Sequence, residues 1–310
     1  MSEGTTQTDL APISVAISTR ARPDALGRCL DALLAGERLP AEIVVVDQSR
    51  DDRSRAAVAQ RQPAGPALIY IRHAGSGLGA SQNIAIRRAG CPVVAVTDDD
   101  CIPAPDWVAV LARAFAAPDR ADALTGRVLP LGPEQPGLYA VSSRTSAERT
   151  EFGRAAMPWD IGSGNNFAVR REWLERIGGN DERLGPGAPG RGGVDMDLFY
   201  RLLRAGARIR YEPRSLVYHE RTTRAGRIGR RAPYGYGMGA GCLIRLREGD
   251  RHALRILARW LLMRGGRLLG GLRRRDWTLA YEEALVLGGT LGGLAYGMRA
   301  RIPSGARAWV

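Results

Sequence analysis

The chain has 310 residues, 45% of them hydrophobic, enough to bury a large core; a wholly disordered chain and a small disulfide-stapled scaffold are both excluded. Its formal charge is +13, and all 45 basic residues are arginine. Fifteen of these lie between Arg221 and Arg275 against only Glu248 and Asp250, so this segment carries the whole excess charge. A basic block of this kind points to an anionic surface, either membrane or nucleic acid. The opening residues, about 1–11, are polar and Thr-rich, with neither the basic nor the apolar region of a secretory signal; they read as a disordered start to a cytosolic chain. Cys29, Cys91, Cys101 and Cys242 show no C-x-x-C pairing and no His at ligand spacing, which argues against a zinc site or a disulfide framework.

The apolar run Ile13–Thr19 predicts a strand, and Pro23-Asp24 opens a helix in which Leu26, Cys29, Leu30, Leu33 and Leu34 recur at helical spacing. Ile43–Val46 predicts a second buried strand, ending on Asp47. Leu68–Ile71 is a third, followed by the loop Gly75–Gly79 and a helix over Ala80–Ala89. The glycine loop follows the third strand and is not spaced G-x-G-x-x-G, so it reads as a turn and not as a dinucleotide site. Val93–Thr97 is a fourth strand, running directly into Asp98-Asp99-Asp100. Alone, that cluster fits two readings: a solvated turn, or acids delivered to the crevice where open α/β sheets bind ligands, able to share Mg²⁺ or Mn²⁺ with a substrate's phosphates.

Further on, Pro105–Ala116 predicts a helix and Ala123–Val128 a strand. Residues 130–160, rich in Pro, Gly and Ser, predict a loop over the site. A small-residue turn at Ile161–Asn165 leads into a strand ending at Val169, and Arg171–Ile177 is a short helix. Gly185–Gly193 is a mobile loop, and Asp195 and Asp197 fall in the first turn of the next helix, where capping alone explains either acid. Ile209–Tyr211 and Leu216–Tyr218 read as two short strands, the second followed by His219. Strands alternating with helices of this length predict a mostly parallel, doubly wound α/β sheet.

Taken in order, Ser14–Arg20 with Arg22-Pro23, Ile43–Asp47, Asn83, Asp98–Asp100, Gly164–Asn166, Gly178–Glu182, Gly192–Leu198 and Val217–His219 resemble the family 2 glycosyltransferases of the GT-A fold. The resemblance covers about residues 12–221. It implies a metal-dependent, inverting enzyme that moves a sugar from a nucleoside diphosphate sugar to an acceptor hydroxyl. It further implies nucleotide-sugar contacts at Thr19, Arg20, Asp47, Gln82, Asn83, Asp98, Asp99 and Asn165. Asp100 is the implied ligand for Mn²⁺ or Mg²⁺, with His219 completing its shell, and Asp195 the implied catalytic base. Three positions depart from the family pattern: Val194 stands where Glu is frequent, Ser81-Gln82-Asn83 lacks the Arg often beside the helix Asn, and Asn180 replaces a common Phe.

After His219, arginine-rich loops lead into the glycine-alternating stretch Tyr234–Gly241. Arg251–Arg264 then predicts a basic amphipathic helix, with Arg251, Arg255 and Arg259 along one side and Leu254, Ile256, Leu257, Trp260 and Leu261 elsewhere. Arg273–Arg275 interrupts, and Ala284–Met298 is a second apolar stretch, too short for a membrane span. Residues 222–310 thus read as a helical region for membrane association or acceptor binding, with peripheral attachment to an anionic inner membrane face and a lipid-linked or membrane-proximal acceptor. The competing readings are an arginine-rich nucleic-acid-binding protein, disfavoured by the large apolar face of the basic helix, and an inactive family member that only binds nucleotide.

Overall fold

The computed structural model describes residues 10–61, 65–119 and 121–302. Residues 1–9 of the expected disordered start lie outside the described residues, whereas Ala11 already opens the first strand. The strands β1 (Ala11–Thr19), β2 (Pro40–Asp47), β3 (Ala67–Arg72) and β4 (Val93–Asp98) alternate with the helices α1 (Pro23–Leu34), α2 (Arg53–Ala59) and α3 (Leu78–Arg88). These strands lie parallel in the order β3-β2-β1-β4. The chain therefore winds to one side of β1 and then to the other, opening a crevice at the carboxyl ends of β1 and β4. In register, Ser18 stands opposite Asp98 and Thr19 opposite Asp47, so the polar ends of three strands arrive together.

After the acids come β5 (Cys101–Pro103), α4 (Trp107–Ala116), β6 (Ala123–Pro130), β7 (Leu138–Tyr139), β8 (Thr150–Phe152), α5 (Pro158–Ile161), β9 (Asn166–Arg170), α6 (Arg171–Ile177), α7 (Val194–Ala205), β10 (Ile209–His219) and β11 (Thr222–Thr223). The sheet continues from β4 through β9, β6 and β10 to β5. β9 runs antiparallel between β4 and β6, and β5 and β8 run antiparallel to β10, so the sheet is mostly but not wholly parallel. The two short strands expected over 209–218 are one strand, β10, with a register shift between Glu212 and Leu216. Pro213 sits at that shift, where it has no N–H to give to a ladder. The expected 130–160 loop also holds the short β7, β8 and α5.

The C-terminal region is more helical than its composition predicts: α8 (Arg224–Gly229), α9 (Arg231–Arg247), α10 (His252–Arg273) and α11 (Trp277–Arg299). The arginine-rich loops and the glycine-alternating stretch become α8 and α9. Each interior glycine costs a helix about 1 kcal/mol of propensity relative to alanine. Packing explains their presence. A Cβ at Gly235 would lie 1.9 Å from the Val286 carbonyl, one at Gly239 2.2 Å from the Thr290 carbonyl, and one at Gly293 2.0 Å from the Tyr236 carbonyl. Glycines four apart thus bring the α9 and α11 backbones into direct contact.

Two apolar cores cover the two faces of the sheet, one including Leu26, Leu30, Trp107 and Leu111, the other Ile86, Phe167, Phe199 and Leu202. A third core joins Met196 and Tyr200 of α7 to Met238 of α9 and to Ile256 and Trp260 of α10. The basic region therefore packs directly on the helix that begins with Asp195.

Candidate active site

Thr19, at the end of β1, is buried and donates its hydroxyl to Asp99 Oδ2 at 2.7 Å. The next turn is strained: Ala21 has φ 55°, a left-handed conformation uncommon for a non-glycine residue and characteristic of functional turns. Its N–H donates to Ser49 Oγ at 2.8 Å. This kink turns Arg22 toward the acids, where one guanidinium nitrogen donates to Asp99 Oδ1 at 3.1 Å and to Asp100 Oδ2 at 2.8 Å. Burial and the neighbouring acids hold the Asp98 carboxyl well above the usual carboxylate range. Burial also raises that of Asp99, against the opposing pull of Arg22 and Thr19.

The second oxygen of Asp100 faces His219. Asp100 Oδ1 lies 3.5 Å from His219 Nε2, and β5 pairs Cys101 with His219 across the antiparallel ladder. The Glu220 carbonyl, 2.7 Å from Nδ1, can only accept, so it fixes a proton on Nδ1 and leaves Nε2 directed at Asp100. Ligand atoms of Asp100, Cys101 and His219 lie within 4.8 Å of one another. Burial pushes the Cys101 thiol far up, which keeps it protonated and a poor ligand. The remaining carboxylate and imidazole are a donor set that suits a hard or borderline divalent cation such as Mn²⁺ or Mg²⁺.

Asp195 is the second residue of α7. Gly193, at φ 73°, turns the chain into the helix, and Gly164 N donates to Asp195 Oδ2 at 3.1 Å. A Cβ on Gly164 would come 2.9 Å from Asp195 Cβ, so glycine is what admits this approach. Burial pushes the Asp195 carboxyl up, opposed by backbone N–H groups of Met196, Asp195 and Gly164. Its charge is felt by Asp98 on one side and by the Tyr234 hydroxyl on the other. Trp159 and Tyr234 each pack against Trp260 with ring centroids 5.3 Å apart, giving this side of the site an aromatic wall.

Asp197 has a different environment. It is buried, accepts from Arg201 Nε at 2.7 Å and Arg245 Nε at 2.8 Å, and shares Arg245 with Asp181 and Glu248. This network ties α7 to α9. Removing one partner of a buried ion pair strands the other charge, a loss of about 3–5 kcal/mol. Asp197→Asn is therefore expected to lower the chemical-denaturation stability of the whole chain by an amount near that range, more than helix capping alone would give.

Several expected site residues are occupied by the protein itself. Asp47 is fully buried and accepts from Ser49 N at 2.7 Å and from the Tyr70 hydroxyl at 2.8 Å. Gln82 and Asn83 are buried on α3: Asn83 Nδ2 donates to the Asn180 carbonyl and to Glu182, Asn180 N donates to Asn83 Oδ1, and Asn180 Nδ2 donates to Gln82 Oε1 at 3.2 Å. Two of the three departures from the family pattern, Gln82 and Asn180, thus bond to each other. The third, Val194, is buried against Leu184, Ala240 and Ile244. Arg20 is exposed at the end of β1. Asn165 is 2% exposed, and neither end of its amide has a hydrogen-bond partner within the described residues. An orphaned buried amide beside Gly164 is a group a ligand would satisfy. No local pattern singles out Arg22 as a contact to the acids or Tyr234 as a neighbour of Asp195, although Arg22 lies in a stretch that carries the family resemblance.

A doubly wound sheet with acids at its switch point, a carboxylate–imidazole pair beside them and a helix-borne carboxylate opposite defines a GT-A-type fold. The glycosyl transferase family 2 model matches residues 14–178, and the chain belongs to that family. It is 29% identical over 205 residues to a pre-mycofactocin glycosyltransferase of Mycobacterium tuberculosis, a match covering 63% of this chain and 42% of the relative. The chain thus matches less than half the length of that relative. Among solved structures, a mannosyltransferase from Pyrobaculum calidifontis in complex with GDP-Man and Mn²⁺ shares the fold with a TM-score of 0.63 at 20% identity, over 93% of this chain and 88% of the other. TarS of S. aureus gives 0.57 at 17% identity, over 80% of this chain and 42% of the other.

Proposed function

We propose that the chain transfers a sugar, with inversion, from a nucleoside diphosphate sugar to an acceptor hydroxyl. The observation that carries this reading is the placement of Asp195: a carboxylate fixed by backbone N–H groups, within electrostatic reach of Asp98 yet outside the acid cluster. Asp100 and His219 would hold Mn²⁺ or Mg²⁺. When bound, such an ion supplies positive charge to a diphosphate leaving group as the sugar bond breaks. The residues of the chain do the rest. Asp195 accepts the proton of the acceptor hydroxyl as that oxygen attacks the anomeric carbon. Asp98, Asp99, Thr19 and the unpartnered Asn165 face the donor, while Asp47, Gln82 and Asn83 hold the turns around it. Proton NMR of the first-formed product tests the stereochemistry: an anomeric configuration opposite to that of the donor is expected, and retention would contradict a single-displacement role for Asp195.

The acceptor side is proposed to meet an anionic membrane surface. No described helix is long and apolar enough to cross a membrane. Yet Leu254, Leu262, Leu269 and Leu272 of α10 and Trp277, Tyr281, Leu291 and Met298 of α11 are exposed, and exposed Arg251, Arg255, Arg259 and Arg273–Arg275 accompany them. Apolar side chains beside arginines suit interfacial docking on acidic lipid, with the acceptor lipid-linked or membrane-proximal and the chain peripheral on the inner face. Nucleic acid would use the arginines but not the exposed leucines. Replacing Leu262 and Trp277 together by Ser is expected to reduce cosedimentation with anionic liposomes about tenfold or more, since each buried large side chain contributes roughly 1.5–3 kcal/mol. Binding of the unaltered chain should fall as salt rises. Equal binding by both proteins would overturn the membrane reading; salt-sensitive capture of single-stranded nucleic acid without liposome binding would replace it.

A further inference from the structure

Arg22 lies outside the residues assigned above to metal, donor or base, yet it makes the closest cationic contacts to the acid cluster. One of its guanidinium nitrogens bridges Asp99 Oδ1 and Asp100 Oδ2, while the other oxygens of those carboxylates face Thr19 and His219. Its side chain is half exposed, whereas the two carboxylates are largely buried. The bridge is therefore anchored on the acid side and open to solvent on the arginine side. The strained Ala21 turn, held through Ser49 to Asp47, aims it there.

We propose that Arg22 is the resident cation of the acid cluster, and that its transfer from Asp100 to the diphosphate of the donor couples metal binding to nucleotide binding. The inference rests on the metal-dependent glycosyltransferase reading. A divalent ion held by Asp100 and His219 would come within a few ångströms of a guanidinium donating to the same carboxylate, and the two positive charges repel. Metal alone must then displace Arg22 without giving it a new partner. A nucleoside diphosphate changes that, because its oxygens accept a planar guanidinium through paired hydrogen bonds. The metal and the nucleoside diphosphate each make the other's binding easier, and the coupling must be reciprocal.

The test is calorimetric binding of Mn²⁺ to the full chain, alone and then with saturating UDP or GDP, for the wild type, Arg22→Ala and Arg22→Lys. Truncating a half-exposed side chain leaves no core cavity, and thermal unfolding confirms that each variant is folded. Arg22→Ala is expected to bind Mn²⁺ alone about tenfold more tightly than wild type, within the roughly 5–150-fold range of site-to-site coupling. The tightening produced by the nucleoside diphosphate should shrink by a similar factor. Arg22→Lys keeps the charge and should remain within a few-fold of wild type for Mn²⁺ alone. The inference falls if Arg22→Ala binds Mn²⁺ alone no more tightly than wild type, if the nucleotide effect is unchanged, or if lysine behaves like alanine. A wild-type chain that binds Mn²⁺ neither alone nor with either nucleotide would instead remove the metal-dependent reading on which the inference rests.

Discussion

Asp195→Asn is expected to lower turnover by about 10²–10⁴ at saturating donor, the usual contribution of a positioned general base. The substitution keeps the size of the side chain and an oxygen to accept from Gly164 N, but the amide cannot take up a proton. Donor affinity should therefore stay near wild type, because the lost interaction belongs to the transition state. The pH profile gives an independent reading. Burial raises the Asp195 carboxyl, and a base works only when ionised, so wild-type turnover should fall on acidification through a limb above the ordinary aspartate value of about 3.9. Near-normal turnover in Asp195→Asn would remove the base from the mechanism.

Asp100→Ala is expected to reduce transfer below detection and to abolish the divalent-dependent component of nucleoside diphosphate binding. The loss should exceed that at any donor-facing residue, since it removes the only carboxylate beside His219 within the cation-competent cluster found among the described residues. Stability should change little by comparison. The partners left behind are Arg22, half exposed and still paired with Asp99, and His219, which keeps its bond to the Glu220 carbonyl. Activity retained in this variant, or in wild type treated with EDTA, would contradict metal dependence.

The parts of the molecule legible in the sequence are those where one local pattern has one structural meaning. Buried β-branched runs that stop at Thr19, Asp47 and Asp98 do become adjacent parallel strands, because each run is buried on both faces and its polar end is satisfied at the carboxyl edge of the sheet. What local pattern does not encode is which distant group satisfies a polar side chain. Gln82 and Asn83 look like free amides on a helix, but their partners lie about a hundred residues away, at Asn180 and Glu182. Arg22 follows the same rule, being turned onto Asp99 and Asp100 by a left-handed Ala21. The glycines of α9 carry no helical signal of their own because propensity is a local quantity, whereas the contact they permit with α11 is not. The antiparallel insertion of β9 likewise depends on Asn166 reaching the carbonyls of Arg127 and Ser215 and the indole of Trp107.

Release of nucleoside diphosphate from a panel of UDP- and GDP-linked sugars, followed for wild type, Asp100→Ala and Asp195→Asn with Mn²⁺, Mg²⁺ or EDTA, tests the proposed chemistry most directly. At least one donor should be turned over by wild type only with a divalent ion, not at all by Asp100→Ala, and about 10²–10⁴ more slowly by Asp195→Asn despite intact donor binding. Turnover that persists in EDTA and is unaffected by both substitutions would contradict the site described here.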